Sequence, residues 1–159
     1  MSEDLRYPIG EFDANIEFSA AARSERIEVL RRLPERIAAA VDGLNDEQLS
    51  TQYRPGGWTL RQTVHHVADS HATSYTRFKL ALTEDEFPTI RPYFEDRWAE
   101  LADSRLPVAS SLTMLEGIHE RWVELLGSLS EAEFQKAYIH PETGVWTIDK
   151  AIALYAWHS

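Results

Sequence analysis

The sequence predicts an all-α protein of the four-helix-bundle class, two helix pairs joined by a long crossover. Three observations carry that expectation. Apolar residues recur at three- and four-residue spacing through most of the chain, the ladders they form repeat, and there is little of the alternation that marks strands.

The first helical stretch runs from about Ser19 to Leu44, with Ile27, Leu30, Leu33, Ile37, Val41 and Leu44 at helical spacing. Pro34 lies inside it, so a kink or restart is expected there. After the turn signal Pro55-Gly56-Gly57, Thr59 is the expected N-cap of a second helix reaching about Thr83, whose apolar stripe is Leu60, Val64, Val67, His71, Phe78 and Leu82. The segment from Glu84 to Pro107 contains Pro88, Pro92 and Pro107 and few periodic positions, and reads as a long crossover that carries function or covers a core edge. A third helix is expected from about Ser111 to Leu129, on Leu112, Leu115, Ile118, Trp122, Leu126 and Leu129. A last helix starts at Thr147 and is still running at the end of the sequence.

An offset of 85 residues brings Leu44 onto Leu129, and with it Leu30, Leu33, Ile37 and Val41 onto Leu115, Ile118, Trp122 and Leu126. Three inserted residues later, Trp58-Thr59-Leu60 matches Trp146-Thr147-Ile148. Amphipathicity alone does not explain the paired Trp-Thr start signals. A helix pair used twice makes a bundle in whose core facing side chains can converge on a metal or ligand.

Composition limits what that core can hold. The 159 residues suit one domain. With no cysteine, disulfides, thiolate sites and cysteine nucleophiles are excluded, and any transition-metal site must be built from imidazole and carboxylate. A net charge of −10 with no long Lys/Arg run argues against duplex nucleic acid. The opening MSEDLRYPIG lacks signal-peptide regions and no apolar run reaches the ~18 residues of a membrane span, so a cytoplasmic protein with no membrane partner is expected.

Three of the six histidines fall in TVHHVADSH, residues 63 to 71. At about 100° per residue they lie on three different faces of the second helix. His71 falls within the apolar stripe, and His65 falls between Arg61 and Asp69 on the face expected to be wettest, towards solvent or a dimer contact. His66 falls with Thr59, Thr63, Ser70 and Arg77 on a stripe of small polar residues with one cation, which leaves room for a cavity. None of the three has an i, i+4 histidine partner, so a ligand from this cluster must find partners on other helices. An offset of 88, which brings Trp58 onto Trp146, brings Ser70 onto His158, making His66 and His158 candidate partners. His71 and His119, both on apolar faces, are expected to be hydrogen-bonded core or cavity residues near that site, and His140 a loop residue.

The run from Tyr53 through His71, YRPGGWTLRQTVHHVADSH, continues through Arg77 to Glu84 and closely resembles the YfiT branch of the DinB/YfiT superfamily. Tyr7-Pro8-Ile9-Gly10, His119-Glu120-Arg121-Trp122, His140-Pro141-Glu142 and Leu154 to Ser159 match it as well. The resemblance implies a four-helix bundle, often homodimeric, that acts as a metal-dependent hydrolase with one zinc or nickel ion per subunit held by three histidines. It assigns His66 and His158 as ligands; Ser70 and Arg77, on the His66 stripe, and His71 and His119, on apolar faces, are the candidate neighbours of that site read from helical position. The resemblance puts a third ligand four residues after His158, one turn past the Ser159 at which the sequence stops, so a shortened, weakly binding site is expected.

The expected chemistry is a His-bound divalent metal activating water on a small-molecule substrate. Relatives that use a small thiol of the bacillithiol type make S-transfer the alternative within enzymes. A non-catalytic bundle that binds a ligand or partner through its acidic surface and the Trp98-bearing crossover is the alternative outside them. No residue is identified as a dedicated general base.

Overall fold

A computed structural model describes residues 7–15 and 18–159. Four long helices form the bundle: α1 (Ala20–Val41), α3 (Leu60–Thr83), α5 (Ala109–Gly127) and α6 (Ile148–His158). Two short ones, α2 (Asp46–Leu49) and α4 (Glu95–Ala99), lie in the connections, and a hairpin of β1 (Ala137–His140) and β2 (Gly144–Thr147) precedes α6. Helix α1 packs along α5 and α6, and α3 packs along α5 and only sparsely along α6. The two helices of each half, α1 with α3 and α5 with α6, therefore stand diagonally across the bundle, while α3 and α5 are neighbours. The seam between α3 and α6 is left the loosest, and the candidate site lies there.

The two halves start their inner helices alike. Thr59 Oγ1 accepts the Gln62 N–H at 3.1 Å while Gln62 Oε1 accepts the Thr59 N–H at 2.9 Å, a reciprocal capping box. Thr147 Oγ1 accepts from Lys150 N in the same way at 3.2 Å. The expected N-caps stand, and each threonine follows a tryptophan as the repeat predicts. At the core, Trp122, Phe78, Leu30, Leu126, Ile148 and Ile152 are almost wholly shielded from solvent.

Helix α6 is tied to α1 by a charged knot. The Arg23 guanidinium donates to both Asp149 carboxylate oxygens, at 2.7 and 2.8 Å, and to both of Glu131, at 2.7 and 3.1 Å, over the face of Phe134. Arg23 and Asp149 are both buried, so each neutralises a charge the other could not leave in the core. The segment before α1 is fixed to the far end of α6: Trp157 Nε1 donates to Gly10 O at 3.2 Å, and Phe12 lies against the rings of Trp146 and Trp157.

Three expectations require correction. Of the kink or restart expected at Pro34, the restart is absent: α1 runs unbroken from Ala20 to Val41. Proline removes one donor from the ladder, that to Leu30 O four residues earlier, and here Leu30 O accepts from His119 Nδ1 of α5 at 2.6 Å. His140 is not in a loop but ends β1, opposite Gly144. The hairpin was illegible because its strands are four residues each; Gly144, at φ 80°, supplies the left-handed residue that closes a three-residue loop. The crossover carries α4 and a 3-10 turn at Ala102–Arg105, and Thr89 bridges in parallel to Ile139.

The third correction concerns His65, which is 7% exposed rather than on the wettest face. The end of the crossover and the start of α5 cover that side of α3. His65 Nε2 lies 3.0 Å from Leu106 O and Nδ1 2.7 Å from Ser111 Oγ. Arg61, one turn earlier, is buried by the same cover and reaches Asp46 and Leu106 O. A helical wheel predicts the face from one helix alone, and here a third element covers it.

Candidate metal and substrate site

The seam between α3 and α6 holds a pocket of about 330 Å³. His66, Ser70 and Arg77 come to it from α3, and Leu154, Tyr155 and His158 from α6. Pro92, Tyr93 and Glu95 come from the crossover, and His140 and Glu142 from the hairpin. The polar stripe of α3 is therefore the cavity wall that its angle predicts, and the crossover forms part of the site.

His66 and His158 stand side by side, with ring centroids 5.6 Å apart. The Trp58 ring lies 4.5 Å from His66, and Trp58 Nε1 donates to Asp96 Oδ1 at 3.1 Å, which anchors the indole that holds the imidazole. Among the described residues neither ring nitrogen of His66 has a hydrogen-bond partner, although burial lowers its pKa, opposed by the negative charge of Asp96. His158 differs: its Nδ1 lies 3.1 Å from His71 Nε2, and burial, reinforced by His66, pushes its pKa down to about 4. Both rings are thus neutral at neutral pH, the form in which imidazole binds a metal.

Behind them the expected core histidines form a line. His71 Nδ1 lies 2.9 Å from His119 Nε2, and His119 Nδ1 2.6 Å from Leu30 O. His71 has no exposure and sits edge-on to Tyr155 and Trp122, with centroids 5.1 and 5.9 Å away. Burial first, then the charges of His158, His119 and His66, holds its pKa well below the ordinary value, and burial also lowers that of His119.

On the substrate side, Ser70 is buried beside the Tyr93 phenol, and Arg77 Nη2 donates to Arg91 O at 3.3 Å. Burial raises the Tyr93 pKa to about 12, so this hydroxyl stays protonated as a donor. Tyr93, Glu95, His140 and Glu142 are pocket residues that helical periodicity did not identify. The long proline-rich crossover was the one available signal for the first two.

The donor set can be tested against a metal. Among the described residues no group of three or more His, Cys, Asp or Glu side chains is placed to hold an ion. What the seam offers is a pair of neutral imidazoles, one with both nitrogens unpartnered and one with Nε2 unpartnered. Such a pair fits a borderline divalent ion with its other positions open, though not a closed structural cage.

Comparison with known proteins places this arrangement. The family model described as the DinB superfamily matches residues 29–159. A protein of Bacillus mycoides (strain KBAB4), named "Putative metal-dependent hydrolase", is 52% identical over 156 residues, which cover 98% of this chain and 90% of the relative. One of the same name from Bacillus cereus (strain 03BB102) is 53% identical over 155 residues, covering 98% and 89%. The solved structure of YfiT from Bacillus subtilis is described as "a probable metal-dependent hydrolase with an unusual four-helix bundle topology". It superposes with a TM-score of 0.93 at 46% identity, over 97% of this chain and 89% of that one. The sequence, the diagonal helix arrangement and these matches together show that the chain belongs to the DinB superfamily, as a YfiT-like member.

Proposed function

We propose that this protein is a metal-dependent hydrolase of a small molecule, with His66 and His158 as ligands to one zinc or nickel ion. The observation that carries the reading is the pair of neutral rings 5.6 Å apart, each with an unpartnered nitrogen, in a pocket large enough for a small substrate. The names borne by the relatives from Bacillus support the same chemistry.

A divalent ion bound there supplies Lewis acidity, which polarises a carbonyl and acidifies water. The chain's own residues supply the rest. Arg77 offers a fixed cation to an anionic substrate group, and the Tyr93 hydroxyl offers a hydrogen bond that persists through the physiological pH range. Glu95 and Glu142 are the pocket carboxylates available to take up a proton. No helix of the described residues is long and apolar enough to cross a membrane. A cytoplasmic setting is the reading drawn from the sequence, and a homodimer the one that the resemblance implies.

The test is a panel of ester, amide and thiol-plus-electrophile substrates, assayed with the zinc- and nickel-loaded protein and with His66→Ala. Hydrolysis that disappears in His66→Ala is expected. Turnover that survives the substitution removes the metal mechanism, and turnover that requires the thiol replaces hydrolysis by S-transfer. Thermal stabilisation by a ligand without turnover replaces the enzyme by a binding module.

A further inference from the structure

We infer that His71 and His119 are positioning residues that set the tautomer of His158, through a one-directional hydrogen-bond relay starting at the Leu30 carbonyl. Its value to metal binding rests on the reading of His158 as a ligand; the relay itself does not.

The direction of each bond follows from the first. Pro34 has no N–H, so Leu30 O lacks its donor within α1 and takes His119 Nδ1 at 2.6 Å instead. A carbonyl only accepts, so His119 donates from Nδ1. A neutral imidazole carries one N–H, which leaves His119 Nε2 as a lone pair 2.9 Å from His71 Nδ1. His71 must therefore donate from Nδ1 and present Nε2 as an acceptor. That Nε2 lies 3.1 Å from His158 Nδ1, so His158 in turn donates from Nδ1. The proton order ends there, with His158 Nε2 bare in the pocket, as a metal ligand must be.

The order holds only while the middle ring is neutral. A cationic His71 would donate at both ends, reverse the last bond and put a proton on His158 Nε2. The core opposes this: His71 is 0% and His119 2% exposed, and among the described residues the hydrogen-bond partners of both rings are imidazoles and a carbonyl, with no carboxylate to hold a cation there. A metal-binding imidazole usually has its second nitrogen fixed by a carbonyl or carboxylate in direct contact. Here the carbonyl belongs to α1, and two rings carry its polarity across the core to α6.

Long-range proton–nitrogen NMR of the metal-free protein, labelled with 15N-histidine and held near neutral pH, reads the tautomers directly. The expected result is Nδ1–H at His119, His71 and His158. A His158 found as Nε2–H in the folded protein overturns the relay, whatever its metal affinity. His119→Phe keeps a ring and removes both nitrogens. Once this variant is shown to be folded, its His158 is expected to become a tautomer mixture, and its affinity for zinc alone to fall by about 10- to 100-fold, the usual effect of losing such support. Wild-type zinc affinity in that folded variant overturns the positioning role. If the variant does not fold, the wild-type tautomers decide. A wild type with the expected tautomers that binds no zinc would instead remove the ligand assignment and leave the relay standing.

Discussion

His65 and His66 are neighbours on one helix, and both are enclosed, yet their surroundings differ in kind. Both nitrogens of His65 have partners, Leu106 O and Ser111 Oγ. Those of His66 have none among the described residues, and its ring lies against those of Trp58 and His158. Each lines a pocket, of about 180 Å³ beside His65 and about 330 Å³ beside His66. Burial therefore does not distinguish a structural histidine from one available to a ligand. The distinction is whether the fold has already used the nitrogens.

The comparison can be broken first by truncation. His66→Ala is expected to weaken zinc binding at least a hundredfold, roughly 2.8 kcal/mol, while shifting the unfolding midpoint of the metal-free protein little. A calorimetric zinc titration beside a denaturant melt checks both halves. If affinity survives, His66 is not the available ligand.

Acid should act on the His66 side next. Burial depresses the folded-state pKa values of His71, His119 and His158, the last to about 4, whereas the unfolded chain takes up these protons near the ordinary value of about 6.5. Between those limits the unfolded state binds more protons, so stability is full above about pH 6.5 and falls as the pH drops towards 4. For His158 alone, allowing for the part that meets solvent, the loss is on the order of 2–3 kcal/mol, and His71 and His119 act in the same direction. Urea melts from pH 7.5 to 4.5 measure it, and a flat profile would mean that these rings are solvated in the folded state.

His65→Ala should do the reverse of His66→Ala. It leaves the Ser111 hydroxyl, on a buried residue, without its side-chain partner, while Leu106 O keeps the Arg61 guanidinium; the cost is about 1–2 kcal/mol of stability, and zinc affinity stays within about threefold, or ~0.7 kcal/mol. The smallest expected effect is that of Ser111→Ala, which removes one donor to the same ring and costs about 1 kcal/mol in a denaturant melt, with zinc binding unchanged. A large loss of zinc affinity in either variant would show that the two sides of α3 are coupled.

Much of this architecture was legible because it depends on short-range rules. The ladders from Ile27 to Leu44 and from Leu112 to Leu129, and the capping threonines Thr59 and Thr147, are set within a turn or two of chain. His66 and Ser70 could be placed on the cavity wall because the elements that meet their face of α3 enclose a pocket there rather than fill it. His65 and Arg61 could not, because what buries them arrives from the end of the crossover, some 40 residues later. The hairpin escaped because four-residue strands carry too few alternations to stand out. Tyr93 and Glu95 belong to a segment whose path no periodicity describes. The continuity of α1 through Pro34 depends on a donor from another helix, which no local reading of α1 supplies.

Pro34 sets a trap for thermostability engineering. An interior helical proline is an obvious target, since alanine there would restore a ladder bond and recover up to about 3 kcal/mol of helix propensity. The recovered N–H, however, would compete with His119 for Leu30 O, the acceptor from which the order of protons across the core is set. Pro34→Ala should therefore melt higher while binding zinc less tightly, a stability gain made at the expense of the site. In this bundle a missing hydrogen bond in one helix is what makes a backbone oxygen available to orient a side chain two helices away.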